Sequence, residues 1–138
     1  MIKVGTSIII LNSKFEVLLG KRKGSHGEGM WSLPGGHLEE NETYVECCDR
    51  ELMEEVNISF GEYSKVGFSE DFFPDKQYTT LYFAAKCTNE MLSKVKNMEP
   101  DKCEGWEWIS ADDIPRDLFC DSYNQIIKVI LHDRDYLK

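Results

Sequence analysis

Runs of apolar residues alternate with short polar segments along this 138-residue chain, and most runs have the length of a β-strand. The run at residues 3–11 is mostly apolar and β-branched, which is typical of a strand buried in a sheet. Polar turns separate such runs, whereas Pro34-Gly35-Gly36 is expected to break any regular element. Strands are therefore predicted at residues 3–11, 15–22, 60–70, 78–87 and 105–109.

Helical spacing replaces the strand pattern in residues 43–56. Apolar side chains recur there every three or four positions and form one core-facing stripe, which consists of Val45, Cys48, Leu52 and Val56. Thr43 and Glu46 match the capping box that begins many helices. Asn57 follows the helix, where a left-handed residue is expected, and asparagine tolerates that conformation better than most residues.

A second helix is predicted to run from Ser122 as its cap to about His132, with Gln125 completing another capping box. Strands and two helices alternate within residues 1–138, and the sequence shows no repeat or linker. The chain is therefore predicted to be a single domain of the α/β (α+β) class, built as a sheet covered by helices.

Composition narrows the classes of function. At 41% hydrophobic residues the chain can bury a core, and no run approaches the ~18 apolar residues of a membrane span, so no membrane partner is predicted. The five cysteines are odd in number and form no C-x-x-C pair. This pattern argues against disulfides and structural zinc, and it favours reduced thiols in a cytoplasmic protein.

The net charge of -9 disfavours binding of DNA or RNA polymers, because such a surface repels their phosphates. The same surface would repel a free nucleotide. An anionic substrate would therefore need a local source of positive charge. Bound cations and the basic run at residues 21–23 are the two candidates.

Three glutamates carry the strongest candidate chemistry. Glu54 and Glu55 follow Glu51 by three and four positions, so helix geometry brings the side chains together with about 5–6 Å between their Cβ atoms. Carboxylates this close repel one another unless cations neutralise them, and oxygen-rich clusters suit Mg²⁺ or Mn²⁺. Taken alone, the E-x-x-E-E pattern could equally be a solvated helix face.

The residues around this cluster strengthen the metal interpretation. The segment from Gly36 to Ile58 resembles the Nudix box, G-x5-E-x7-R-E-U-x-E-E-x-G-U, in which U is a bulky aliphatic residue. Asn57 stands where the family has glycine. The resemblance implies the Nudix fold, a mixed β-sheet sandwiched between helices. The positions that match are Gly36, Glu42, Arg50, Glu51, Leu52, Glu54, Glu55 and Ile58.

By this resemblance the three glutamates are expected to bind the metal, often together with the backbone carbonyl of Gly36. Arg50 is expected to pair with Glu42 and to fix the helix against its preceding loop. The alternative for Arg50 is a solvent-facing side chain. Replacing Glu54 or Glu55 with glutamine is expected to abolish turnover and leave the fold intact.

The expected mechanism follows from these charges. The metals would neutralise a diphosphate, polarise its phosphorus and acidify a bound water. A carboxylate would then take the proton as the water attacks. Glu51 is one candidate for this base, and Glu104, which lies just before a predicted strand, is the other. The alternative for Glu104 is an ordinary loop carboxylate.

Blocks outside the box resemble the MutT-like nucleoside triphosphate hydrolases, and in particular the eukaryotic MutT-homologue group of nucleotide diphosphatases. These blocks are residues 18–25, 33–39 and 98–108. The resemblance implies cleavage of a nucleoside or deoxynucleoside triphosphate, oxidised nucleotides included, to the monophosphate and pyrophosphate. Relatives of this type include homodimers, so a homodimer stays open.

Candidate substrate contacts follow from the same blocks. Trp108 and Ser32 match positions that line the base pocket of MutT-like enzymes, although core packing is the alternative for Trp108. Lys21 and Arg22 are candidates for phosphate contacts, and a solvated basic run is their alternative. Two nearby histidines are not expected to be catalytic: His26 and His37.

Two other functions compete with this prediction. An ADP-ribose or nucleotide-sugar pyrophosphatase would use the same helix, but such enzymes commonly carry additional N-terminal strands. A Nudix-fold binding module without catalysis usually loses box glutamates, and this chain keeps them all. A more general alternative is an acidic α/β domain whose glutamates are only surface residues.

Overall fold

The computed structural model describes residues 2–24, 27–120 and 122–132. Within these residues, seven strands form one mixed sheet that is accompanied by three α-helices. The strands are β1 (Ile2–Leu11), β2 (Val17–Arg22), β3 (Trp31–Ser32), β4 (Gly35–His37), β5 (Ser64–Phe73), β6 (Lys76–Lys86) and β7 (Cys103–Ile109). The helices are α1 (Tyr44–Glu55), α2 (Asn89–Leu92) and α3 (Tyr123–Leu131).

Strand β1 lies at the centre of the sheet. The strand order is β3-β2-β1-β6-β5, with β4 paired to β1 and β7 paired to β2. The β1–β6 pair is parallel and the other pairs are antiparallel. A central strand flanked on both edges must bury both of its faces, which explains the unbroken apolar run at the end of β1.

Each face of the sheet carries its own core. On one face, Cys48, Leu52 and Val56 of α1 pack against side chains of β1, β2 and β6, such as Ile8 and Phe83. The fourth residue predicted for this stripe, Val45, is instead 37% exposed, because it lies on the first turn at the edge of the helix face. On the other face, α3 packs against the alternate side chains, and the buried residues include Ile9, Leu11, Leu19, Tyr82 and Val129. The predicted sheet between helices is therefore confirmed.

The start and end of α1 agree with the sequence. The hydroxyl of Thr43 accepts a hydrogen bond from the backbone N–H of Glu46, and the Glu46 side chain accepts one from the backbone of Thr43. Asn57 has a φ of 67°, which confirms the left-handed residue after the helix. The capping box makes the start of this helix locally determined.

The second capping box, predicted for α3, is wrong. Ser122 does occupy the N-cap position, but its hydroxyl donates to the carbonyls of Phe119 and Cys120 rather than capping the helix. The side chain of Gln125 instead donates to the backbone carbonyl of Phe68. Tertiary partners on β5 and in the preceding turn have replaced the local ones.

The prediction that residues 34–36 break regular structure is also wrong, because β4 forms there. Residues Gly5, Thr6 and Ser7 of β1 pair with β4. A Cβ added to Gly35 would lie 2.0 Å from the carbonyl oxygen of Thr6, so only glycine permits this approach. The strand predicted at residues 60–70 is displaced and forms at Ser64–Phe73.

Two further observations bear on the compositional predictions. In the described part of the chain, no helix is both long enough and apolar enough to cross a bilayer. The five cysteines are all described, and all are free thiols.

Candidate active site

Helix α1 and strand β4 bring two box glutamates against the glycine pair. The carboxylate of Glu51 lies where a side chain on Gly36 would be, since a Cβ added there would meet the Glu51 Cδ at 2.3 Å. The backbone N–H of Gly35 donates to Oε2 of Glu55 at 3.2 Å. Gly36 therefore makes room for the Glu51 carboxylate, and Gly35 binds Glu55 through its backbone N–H.

Arg50 organises the outer side of this cluster. Its guanidinium binds Glu42 through two hydrogen bonds of 2.6 and 3.0 Å, which shows the predicted pair. It also donates to the carbonyl of His37 at 2.9 Å and to Glu51 and Glu54 at 2.8 and 3.1 Å. Hydrogen bonding to Arg50 lowers the pKa of Glu42 to about 2.

The three glutamates do not occupy equivalent positions. Glu55 keeps some exposed surface because it lines a cavity, yet protein atoms surround it closely. This burial, followed by a hydrogen bond with Glu51, raises its pKa well above the ordinary value. Glu54 lines neither cavity described below, and its side chain is 50% exposed and held by Arg50.

The structure thus brings together two of the three predicted ligands. Within residues 2–24, 27–120 and 122–132, no three histidine, cysteine or acidic side chains are gathered closely enough to hold a metal ion. The nearby donors, Glu51, Glu55 and the Gly36 carbonyl, are all oxygens, which is the set that Mg²⁺ and Mn²⁺ prefer. Two carboxylates this close repel each other, and a proton on Glu55, the Arg50 guanidinium or a bound cation relieves that repulsion.

A cavity of about 300 Å³ opens in front of these carboxylates. We refer to it as the charged cavity, after the residues of both signs that line it. They are Lys21, Arg22, Glu51, Glu55, Glu99 and Lys102. Lys21 and Arg22, predicted from the sequence as phosphate contacts, both reach this cavity.

Residues 96–102 form a loop that carries Glu99 to the charged cavity. Its first half is tied to the end of α1, because the N–H groups of Lys96 and Met98 donate to the carbonyls of Val56 and Glu55. Its second half is tied to the end of β2, because the N–H of Lys23 donates to the Lys102 carbonyl at 2.9 Å. The loop is therefore held at both ends beside the carboxylates.

Glu99 was missed by the sequence reasoning, which selected Glu104. The structure places Glu104 on β7 with an exposed side chain that lines neither of the two cavities. Glu99 lies five positions earlier and lines the charged cavity. The one feature that points to Glu99 is its place in the polar segment before β7. Other carboxylates in that segment fit the role equally well by sequence.

A second cavity, of about 170 Å³, adjoins the first. Four rings form an arc that ends at a guanidinium. Three of them, His37, Tyr78 and Phe119, line the cavity, and Phe73 packs between Tyr78 and Phe119 without lining it. Ring centroids are 5.1 Å apart for His37 and Tyr78, 5.5 Å for Tyr78 and Phe73, and 5.7 Å for Phe73 and Phe119. The guanidinium of Arg22 lies 3.9 Å from the Phe119 centroid. We refer to this space as the aromatic cavity.

The two cavities share one wall. Its residues line both spaces and come from β2, β3 and β4; they are Arg22, Ser32, Gly35, Gly36 and His37. Ser32, a predicted pocket residue, is therefore at the junction. A ligand with a flat ring and an anionic tail could occupy both cavities across this wall.

The tryptophan selected for the base pocket has a different place. Trp108 lines neither cavity and packs against the core on the α1 face. Trp106 packs there too, and it also lines the charged cavity. His37, which is not predicted to be catalytic, lines both cavities. His26 lies outside the described residues.

Comparisons with known proteins agree with this fold. The model of the NUDIX domain matches residues 1–129. The chain is 28% identical over 112 residues to a putative 8-oxo-dGTP diphosphatase of Bacillus subtilis (strain 168), a match that covers 80% of this chain and 68% of that protein. It is 32% identical over 90 residues to the phosphatase NudJ of Escherichia coli (strain K12), covering 64% of this chain and 57% of NudJ.

The fold also matches a solved structure. A MutT NUDIX hydrolase from Burkholderia pseudomallei superposes with a TM-score of 0.82 at 23% sequence identity. The match covers 94% of this chain and 98% of that one. At this identity the likeness concerns the arrangement of the chain and leaves the substrate undecided.

Proposed function

The chain belongs to the NUDIX family as a MutT-like pyrophosphohydrolase, and we propose that it hydrolyses nucleoside triphosphates to the monophosphate and pyrophosphate. The observation that carries this proposal is the pair of adjoining cavities, one charged and one aromatic, with a common wall. A nucleoside in the aromatic cavity directs its phosphates across the wall towards Glu51 and Glu55. Deoxynucleotides and oxidised nucleotides are included in the proposed substrates.

The residues present suit a divalent cation, Mg²⁺ or Mn²⁺. Glu51, Glu55 and the carbonyl of Gly36 would hold it, and Glu54 would join them by leaving its hydrogen bond with Arg50. The contact between Gly36 and the Glu51 carboxylate supports this assignment, because a side chain at position 36 would fill the space beside that carboxylate. The cation, when bound, neutralises phosphate charge and polarises the phosphorus.

The chain's own side chains divide the remaining work. Arg22 and Lys21 bind and orient the phosphates, and Arg50 holds Glu51 in position through the 2.8 Å hydrogen bond. Glu51 or Glu99 accepts the proton of the attacking water. Glu99 takes the place of Glu104 in this proposal because it lines the charged cavity.

The aromatic cavity supports a nucleotide rather than a simple pyrophosphate ester. Rings that line a narrow space suit the faces of a nucleobase, and each stacked base contributes about 1–3 kcal/mol. The name of the Bacillus subtilis relative, a putative 8-oxo-dGTP diphosphatase, supports an oxidised guanine nucleotide as one substrate to test. The free thiols support a reducing compartment such as the cytoplasm.

The decisive test is a substrate panel with Mg²⁺ or Mn²⁺. The panel contains the common nucleoside and deoxynucleoside triphosphates, 8-oxo-dGTP, ADP-ribose and a nucleotide sugar. Product analysis separates pyrophosphate from phosphate, and chelation with EDTA is the control. We expect a triphosphate to give the monophosphate and pyrophosphate. Release of phosphate alone, or turnover confined to ADP-ribose or the nucleotide sugar, would overturn the proposal.

A further inference from the structure

The charged cavity has two chemically different ends. One end is the wall shared with the aromatic cavity, and the other is lined by residues that do not reach the aromatic cavity. Among these residues, Glu51 and Glu55 lie against Gly36 and Gly35 of the shared wall. The other charged ones, Lys21, Glu99 and Lys102, are what we call the far end. When a nucleoside occupies the aromatic cavity, its first phosphate lies at the shared wall. The terminal phosphates of a triphosphate then extend towards the far end.

Lys102 is held at this far end by its own backbone. Its N–H donates to the carbonyl of Glu99 and its carbonyl accepts from Lys23, both at 2.9 Å. The loop that contains it is also fixed to α1 through the Lys96 and Met98 hydrogen bonds. The backbone position of Lys102 is thus set by elements on both sides of the cavity.

The side chain of Lys102 remains able to bind a ligand. Its Nζ lies 3.7 Å from Oε2 of Glu99, which is an ion pair but longer than a hydrogen bond. The side chain is 65% exposed, and an ammonium group has three N–H donors. An incoming phosphate can therefore accept hydrogen bonds from Lys102 without first breaking a buried interaction.

We propose that Lys102 binds the terminal phosphate of the substrate and makes the site selective for triphosphates over shorter or esterified diphosphates. This inference rests on the proposed function, since it takes the nucleoside to occupy the aromatic cavity. A terminal phosphate carries more negative charge than an esterified internal one. A compact ammonium at the far end therefore favours the substrate that presents it there.

A merely structural role for Lys102 has a different consequence. If the lysine only neutralises Glu99, its removal changes the binding of every nucleotide alike, because the disturbance lies beside the shared carboxylates. If it binds the terminal phosphate of a triphosphate, the loss is confined to ligands long enough to place a phosphate at the far end. The contrast between ligands of different length therefore separates the two roles.

The experiment measures binding of two probes by titration calorimetry with Mg²⁺. The probes are a nucleoside 5′-(α,β-imido)triphosphate, which resists cleavage, and the matching monophosphate. Lys102→Ala should weaken binding of the triphosphate analogue roughly 10- to 100-fold, as expected for a lost hydrogen bond to a charged group, and leave the monophosphate within about twofold. Lys102→Arg should restore most of the affinity.

Lys23→Ala is the matched control, because it removes the same charge from an exposed neighbour that lines neither cavity. An equal loss in this variant, or an equal loss for both probes in Lys102→Ala, would overturn the inference. The two proposals can fail separately. If the wild type cleaves no triphosphate but the probes still separate Lys102→Ala from Lys23→Ala, the proposed function falls and the role of Lys102 in binding stands.

Discussion

The charged and aromatic cavities adjoin but differ in the kinds of residue that line them. The charged cavity takes its carboxylates from one helix and one loop, and its character comes from charges that must be balanced. The aromatic cavity takes its rings from β4, β6 and the segment before α3, and these rings lie beside short polar side chains such as Thr6 and Thr80. The difference suggests that the chemistry and the recognition of the substrate can be altered separately.

Strand β4 is the element that joins them. Its glycines permit the close approach of Glu51 on one side, and its last residue, His37, begins the aromatic arc on the other. The carbonyl of His37 accepts a hydrogen bond from Arg50, so the same residue also touches the charged network. Changes that spare all five residues of the shared wall should therefore affect one cavity at a time.

The largest effect is expected from Glu55→Gln, which alters only the charged side. Glutamine keeps an oxygen for the Gly35 N–H but removes the charge that a cation needs, so kcat should fall roughly 10²- to 10³-fold. The melting temperature should stay close to that of the wild type, because a buried charge is replaced by a neutral group of the same shape. Steady-state kinetics and thermal unfolding provide the two measurements.

Glu107→Gln is the control for that variant, since Glu107 is exposed on β7 and lines neither cavity. It should retain wild-type kcat. A Glu55→Gln protein that keeps full activity would remove Glu55 from the site. If it instead loses activity and unfolds early, the carboxylate has a structural role.

The same contrast explains what could be predicted from the sequence. The ends of α1, the spacing of its glutamates and the Arg50–Glu42 pair depend on residues within about one helix of each other, where local rules apply. The aromatic cavity depends on side chains more than 80 positions apart, such as His37 and Phe119. No local pattern relates such residues, so this cavity was not foreseen.

The errors at single positions have the same origin. Glu104 and Trp108 were selected because of their place beside or within a predicted strand, but the hydrogen-bonded turn between Glu99 and Cys103 determines which residues face the cavity. Such a turn depends on partners at the ends of α1 and β2. Residues 98–108 alone therefore do not predict which of their side chains face the cavity.

A smaller effect, on the aromatic side, is expected from Phe119→Ala. The ring of Phe119 lines the aromatic cavity, stacks on Phe73 and lies under the Arg22 guanidinium, so its loss removes part of the cavity wall and the support of Arg22. The KM for a nucleoside triphosphate should rise roughly 10-fold, which corresponds to a loss of about 1.4 kcal/mol in binding. Inhibition by pyrophosphate, which needs only the charged cavity, should change little.

Phe72→Ala is the matched control, because Phe72 is 70% exposed on β5 and lines neither cavity. Its KM should equal that of the wild type. Should Phe119→Ala lower kcat and pyrophosphate binding as much as nucleotide affinity, the two cavities would not be separable. Arg22 would then be the residue that transmits the change.

A third prediction concerns stability in acid, again on the charged side. Arg50 holds the pKa of Glu42 at about 2, below its ordinary value of 4.5. A depressed folded-state pKa stabilises the protein above the ordinary value, and this contribution is lost as the pH falls from 4.5 through about 2. Glu42→Gln should therefore be about 1–2 kcal/mol less stable at neutral pH.

Denaturant unfolding between pH 7 and pH 2 tests this expectation. The difference in free energy of unfolding between the wild type and Glu42→Gln should shrink across the interval from pH 4.5 to pH 2. Other carboxylates titrate in both proteins and cancel in the difference. A difference that stays constant with pH would show that Glu42 contributes by packing rather than through its charge.

The smallest effect is expected from Asn57→Gly, which restores the residue of the Nudix box. Asn57 has a φ of 67° and its side chain donates to the carbonyl of Lys94 at 3.1 Å. Glycine relieves the left-handed conformation but loses that hydrogen bond, and each contribution is about 0.5–1 kcal/mol. The free energy of unfolding should therefore change by less than about 0.5 kcal/mol, with kcat and KM unaltered.

Asn57→Ala is the comparison for the glycine variant. Alanine keeps the strain of the left-handed conformation and loses the hydrogen bond to Lys94. It should cost about 1–2 kcal/mol and loosen the end of α1, where the carbonyls of Glu55 and Val56 hold the loop that carries Glu99. Its kcat should then fall while the KM set by the aromatic cavity stays constant. Equal stability of the alanine and glycine variants would mean that the left-handed turn places no strain on α1 and has no influence on the charged cavity.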